Sequence, residues 1–174
     1  TATVQGAPVE FTSKVTSDNK QMVEIKVMGN SMFKQVVNEK GAYRVQQGQK
    51  TDVPAEEMAE VKASAVPFEE IALANNNDVT VTGIEAINGT DAYAVKNGKV
   101  KYFYDVNTGY KVAESSDEEG PDGQKATIFT YFSDYKDVKG VKVPHKINRN
   151  IGIEVDLTVS EVKINEGVSA ADFQ

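Results

Sequence analysis

With 174 residues, 40% of them hydrophobic and 26% charged, the chain is most simply one folded domain with a sizeable core. Its net charge of −7 argues against a nucleic-acid groove or an anionic membrane surface as partner, and no apolar run approaches the roughly 18–20 residues of a membrane span. The lack of cysteine removes disulfides, thiol nucleophiles and thiolate metal sites, and the single histidine, His145, is too few for most hydrolase or zinc chemistry.

The chain opens on Thr1–Gln5, a strand end, followed by a turn at Gly6-Ala7-Pro8. Without an initiator Met and already strand-like, it is expected to be cut from a longer precursor. Val9–Val15 and Val23–Val27 alternate apolar and polar residues, as strands with one wet face must, and Ser17-Asp18-Asn19-Lys20 turns between them. Met32–Val37 and Gly41–Gln46 continue the meander. Thr51–Leu73 breaks the pattern and reads as a helical pair. Asp52 or Thr51 is the expected cap, Pro54 suits a first turn, and Glu56 and Glu57 favour the positive end of the helix dipole. Met58, Val61 and Ala65 recur at helical spacing, Pro67 interrupts, and Phe68–Leu73 forms a second short helix.

Strands resume at Val79–Gly83 and Ile84–Ile87, then at Ala92–Lys96 and Val100–Val106, with Asn88-Gly89 and Asn97-Gly98 as hairpin turns. Asn88-Gly89-Thr90 matches a glycosylation pattern but is better explained as a turn. Gly109 is expected in the left-handed position of the next hairpin. Tyr110–Glu114 follows as a strand, and Ser115–Gly123 reads as an acidic, turn-rich tip. Ala126–Ile147 is the densest hairpin: Ile128, Phe129, Tyr131 and Phe132 place apolar groups on both faces, a turn runs through Lys139-Gly140, and Val141, Val143, His145 and Ile147 share one face. Ile153–Val159 alternates cleanly. The phase then slips at Val162 and Ile164, which a bulge near Ser160-Glu161 would explain. Asn165–Gln174 is a tail with Phe173 as an anchor. About eleven strands and one helical pair, joined by short turns, predict a mainly β fold: a curved, partly closed antiparallel barrel whose concave face is covered by the helices.

Four segments occur in order: GIEAINGTDAYAV (Gly83–Val95), YFYDVNTGYKV (Tyr102–Val112), DYKDVKGVKVPHKI (Asp134–Ile147) and VKINEGVSAADF (Val162–Phe173). Together they resemble the LolA/LolB-like lipoprotein-carrier superfamily, and more closely the outer-membrane lipoprotein-sorting-like domains found alone or after M16-type zinc peptidase domains in Bacteroidetes-type proteins. The resemblance spans nearly the whole chain. It implies an unclosed antiparallel barrel that holds lipid, lipoprotein acyl chains or another apolar ligand under a helical lid. It also implies a periplasmic or outer-membrane-associated location in a Gram-negative cell. Those folds begin with a helix that is missing here. Their lid is held by an arginine; neither Arg44 nor Arg149, the only two arginines, matches that position, and no functional residue is carried over.

The inward phase of the strands predicts an apolar lining of Phe11, Val15, Ile25, Val27, Tyr102, Tyr104, Ile128, Phe132, Val143, Val155, Leu157 and Val159, either as a filled core or as the wall of a ligand cavity. Met58, Val61, Phe68 and Ile71 are the expected lid. His145 shares the apolar phase and, with no partners near it in sequence, reads as a satisfied or rim histidine. Asp117–Asp122 could attract calcium but lacks EF-hand spacing and reads as a solvated hairpin tip. No GxSxG, P-loop, dinucleotide or HExxH/HxxEH pattern is present, so neither catalysis nor a cofactor or metal is expected. The expected role is a non-enzymatic binding domain for an apolar ligand or a lipoprotein acyl chain. The alternative is an interaction or spacer module attached to an M16-type peptidase domain of the same polypeptide, with a filled core and no ligand.

Overall fold

The computed structural model describes residues 1–4, 7–119, 125–150 and 154–174. Gln5 of the first expected strand, Gly6 of the turn after it, Gly120–Gly123 of the acidic tip, and Ile153 of the last expected strand lie outside the described residues.

Among the described residues, thirteen strands form two antiparallel meanders. The first contains β1 (Ala2–Val4), β2 (Ala7–Val15), β3 (Gln21–Val27), β4 (Asn30–Asn38), β5 (Gly41–Gln46) and β6 (Gln49–Asp52), each paired with its neighbour in sequence. The second contains β7 (Thr80–Ile87), β8 (Thr90–Asn97), β9 (Val100–Asp105), β10 (Lys111–Glu119), β11 (Lys125–Val138), β12 (Val141–Asn150) and β13 (Glu154–Thr158). Two short helices, α1 (Ala55–Ala63) and α2 (Glu69–Ala74), separate the sheets in sequence, and a 3-10 turn, Ala170–Phe173, closes the chain. The fold is therefore mainly β, with sheets of six and seven strands and no closed barrel among the described residues. The chain divides into two compact units: residues 1–72 with 163–174, and residues 73–162.

Several boundaries differ from expectation. Thr51 and Asp52 belong to β6, whose four residues are exposed on both sides, and Pro54 precedes α1 as its N-cap with no side-chain cap. Glu56, Glu57 and Lys62 lie where the helix dipole favours them. The two strands expected over Val79–Ile87 are one, β7, with a bulge at Thr82 where the register shifts between Val81 and Gly83. Ser115–Glu119 continues β10 rather than forming a tip. No bulge is needed near Ser160, because β13 ends at Thr158. The Asn88-Gly89 turn has both residues at positive φ, 49° and 82°, as a two-residue hairpin of that handedness requires. At the neighbouring turn only Gly98 is positive, at 58°.

Within the first unit, Val37, Ala42, Val53, Val61 and Ala65 form one core, with Met58 packed on it, so α1 lies on one face of the six-stranded sheet. On the other face Met22, Val36 and Tyr43 bury Phe173, with Val45 beside them. Within the second unit, Ala92, Ala94, Phe103 and Ala113 pack with Ile87, Val112, Phe129 and Tyr131.

Candidate functional site

In the first unit, Phe11 lies opposite Ile25, and Ile25 opposite Phe33. The next row of that face is Ser13, Val23, Gln35 and Arg44, and the one beyond it Val15, Gln21, Val37 and Ala42. Alternation thus places the expected lining residues Phe11, Val15, Ile25 and Val27 on the face that α1 covers. The cover is partial. It reaches the Val37–Ala42 end, whereas Phe11 is 42% exposed and Ile25 and Phe33 are half-buried.

Polar contacts fasten α1 at both ends. Arg44 Nη1 is 2.7 Å from Glu57 Oε2 in the first turn, while Arg44 Nε donates to Gln35 Oε1 at 2.9 Å. Gln21 Nε2 donates to the Ser64 carbonyl at 3.1 Å, just past the helix end. Of the expected lid residues, Val61 is buried and Met58 packs on the core, but Phe68 and Ile71 are exposed.

The opposite face holds the tail. Asn38 Nδ2 donates to the Phe173 carbonyl at 2.8 Å, Tyr43 Oη to the Gln174 carbonyl at 2.6 Å, and Lys14 Nζ lies 2.6 Å from Asp172 Oδ1. The Lys14 ammonium, and then the Ser169 N–H, hold the Asp172 carboxyl below its usual pKa.

In the second unit, one row runs Val95, Tyr102, Glu114, Thr130, Arg149 and Val155 across five strand pairings. A second runs Tyr93, Tyr104 and Lys111, and a third Phe132, Ile147 and Leu157. All of the lining residues expected from β9 to β13 therefore share one face; Tyr102 and Val155 are buried, and Tyr104, Ile128, Phe132, Val143 and Leu157 are half-buried. Val159 falls just beyond β13, where its N–H donates to the His145 carbonyl at 2.9 Å. His145 is buried on the same face rather than standing at a rim, and its Nδ1–H donates to the Val143 carbonyl at 2.9 Å, so it is a satisfied histidine.

Charged groups missed by the alternation stand on this face. Lys111 Nζ lies 3.2 Å from Glu114 Oε2, and Arg149 Nη2 2.5 Å from Glu118 Oε1. In a regular strand Lys111 and Glu114 would face opposite ways; only the bulge between Lys111 and Ala113 brings them together. A lysine and a glutamate three apart in an otherwise alternating strand were the one available signal. Asp117 and Glu118 lie exposed on β10, Asp117 accepting from Thr127 Oγ1 at 2.8 Å, and no group of three or more potential metal ligands occurs among the described residues. No described helix is long and apolar enough to cross a membrane.

No family model and no curated protein matches the sequence. Among solved structures, a LolA superfamily protein from Nitrosomonas europaea superposes with a TM-score of 0.62 at 10% identity, over 95% of this chain and 81% of that one. The chain has a LolA-like fold. A DUF1329 family protein from Desulfovibrio piger also matches, with a TM-score of 0.56 at 11% identity, over 97% of this chain and 81% of that one. On the LolA-like fold, the four segments that carried the resemblance are the β7–β8, β9–β10 and β11–β12 hairpins and the tail.

Proposed function

We propose that this chain is a non-enzymatic, periplasmic binding domain for an apolar ligand, a lipid or a lipoprotein acyl chain, working as one domain. One observation carries the reading: each sheet keeps a face of aromatic and aliphatic side chains that are exposed, as Phe11, or only half-buried, as Ile25 and Phe33 and, in the second sheet, Tyr104, Phe132, Ile147 and Leu157. Covering the part of such a side chain still in water is worth roughly half of the 1.5–3 kcal/mol that full burial brings. The fold likeness to a LolA superfamily protein points the same way. In the first unit α1, fastened by Arg44 and Gln21, acts as the lid.

Native mass spectrometry after gentle purification, or displacement of a fluorescent acyl probe, tests this. Bound apolar mass or saturable probe binding is expected, and Phe11→Asp should weaken the probe about tenfold. A protein that carries no ligand and binds no probe would overturn the reading.

The second reading, an interaction or spacer module attached to an M16-type peptidase, draws on the β7 edge of that same face of the second sheet. Val81 and Ile84 on β7 are 67% and 59% exposed, and Tyr93, opposite Ile84, is 45% exposed. A contiguous apolar strip of that kind suits docking to a partner domain.

A further inference from the structure

The second sheet builds a charged site into its apolar face. The bulge at Val112, where Lys111 opposes Tyr104 and Ala113 opposes Phe103, turns Lys111 onto the face of Glu114, Tyr102 and Phe132. Lys111 Nζ stands 4.6 Å from the Phe132 ring centre, 5.6 Å from that of Tyr102 and 3.2 Å from Glu114 Oε2. The lysine side chain is 11% exposed and the glutamate 28%. The backbone at the bulge is held from the next strand: Tyr135 Oη donates to the Lys111 carbonyl at 2.6 Å, and its ring stacks on Tyr110 with centres 4.7 Å apart. Desolvating a lysine costs stability unless a carboxylate and ring faces offset it, and here both are supplied. Beside the pair runs the apolar row Phe132, Ile147 and Leu157.

A matched pair of opposite charges discriminates between headgroups. A net-anionic head set against it meets Glu114, and a net-cationic head meets Lys111. A head that carries both signs meets each with its opposite and leaves no unpaired charge on the apolar face. We infer that the Lys111–Glu114 pair recognises a zwitterionic phospholipid head, its phosphate on Lys111 and its ammonium on Glu114, while the acyl chain lies along Phe132, Ile147 and Leu157. This rests on the apolar-ligand reading and narrows it to a lipid class.

The test is displacement of a fluorescent acyl probe by three single-chain lipids with the same acyl chain: lysophosphatidylethanolamine, lysophosphatidylglycerol and a monoacylglycerol. The zwitterionic lipid is expected to displace at about tenfold lower concentration than the other two, the scale of one additional charge-assisted hydrogen bond. Lys111→Met and Glu114→Gln should each bring the three within about twofold of one another, with probe binding itself retained, and Lys111→Arg should keep the preference. Equal displacement by all three lipids, a preference for the anionic lipid, or a zwitterionic preference that survives in Lys111→Met and Glu114→Gln overturns the inference and leaves the apolar-ligand reading standing. Failure of the probe to bind the wild-type protein overturns both.

Discussion

The two units bury their apolar residues by different means. The six-stranded sheet is covered by pieces laid across it: α1 over Val37 and Ala42 on one face, and the chain's last turn over Met22, Val36 and Tyr43 on the other. The core cluster of the seven-stranded sheet is drawn from its own strands, β7 to β11. Ala92, Ala94 and Ala113 are small residues packed with Phe103, which is nearly fully buried, with Phe129 at 6.1 Å between ring centres and Tyr131 stacked on Phe129 at 5.8 Å. The first unit therefore depends on contacts far apart in sequence, such as Asn38 with Phe173, and the second on neighbouring hairpins. Local pairing closes short loops at low entropic cost, whereas the docked tail must bring the two ends of the chain together.

The sharpest way to break this contrast is to remove one aromatic from each unit. Phe173→Ala and Phe103→Ala should each cost about 3–5 kcal/mol, with Phe173→Ala at the lower end because a terminal turn can detach instead of leaving a cavity. The two variants should differ in which sheet loosens. Phe173→Ala should raise amide hydrogen exchange in β3, β4 and β5 and leave β8 to β11 protected; Phe103→Ala should do the reverse. Loss of protection across both sheets in either variant would mean that the two cores are not energetically separate.

A smaller effect is expected at the fastening of α1. Arg44 and Glu57 are partly exposed, so Arg44→Met should lower stability by only about 0.2–1 kcal/mol. Its larger consequence is local. Exchange at the amides of α1 should quicken while the Phe173 cluster on the opposite face stays protected, because Arg44 lies on the α1 side of the sheet and Phe173 on the other. Unchanged exchange in α1 would show that the Val61 and Ala65 packing holds the helix without the ion pair.

How far the sequence led can be judged from these same residues. Alternation placed Phe11 and Ile25 together, and Tyr102, Ile128, Phe132 and Leu157 together, because a strand's side-chain period is set by the backbone. Phe173 was legible as an anchor since it is the one aromatic in a polar tail. What alternation could not give was any feature made by breaking it. The extra residue Val112 moves Lys111 to the other face without altering composition, so the Lys111–Glu114 pair was hidden until the register was known. β6 was hidden for another reason: Gln49, Lys50, Thr51 and Asp52 are polar on both faces, and Thr51-Asp52 ahead of a proline looks like a helix cap. The division into two sheets left no mark either, since a strand's own residues do not say which strand hydrogen-bonds to it.

The smallest effect expected is a dependence of the first unit on acid. The Lys14 ammonium and the Ser169 N–H lower the Asp172 carboxyl below its ordinary value of 3.8 in the folded chain. A carboxylate with a depressed folded pKa is less protonated folded than unfolded, so the unfolded chain binds more protons near that pH. The contact is thus fully stabilising above the unfolded value and is lost as pH falls through the lower folded one. Hydrogen exchange at Ala170–Phe173 should rise as pH drops below about 4, after correction for the intrinsic rate. Asp172→Asn should show the faster exchange already at neutral pH, with little further change on acidification. Asp105 in the second unit is also lowered, by the amides of Thr108 and Asn107, but its partners are two and three residues away on its own turn. Asp105→Asn should therefore loosen only that hairpin. A response of the tail to Asp105→Asn, or an acid dependence of tail exchange that persists in Asp172→Asn, would contradict the assignment of the long-range contact to the first unit alone.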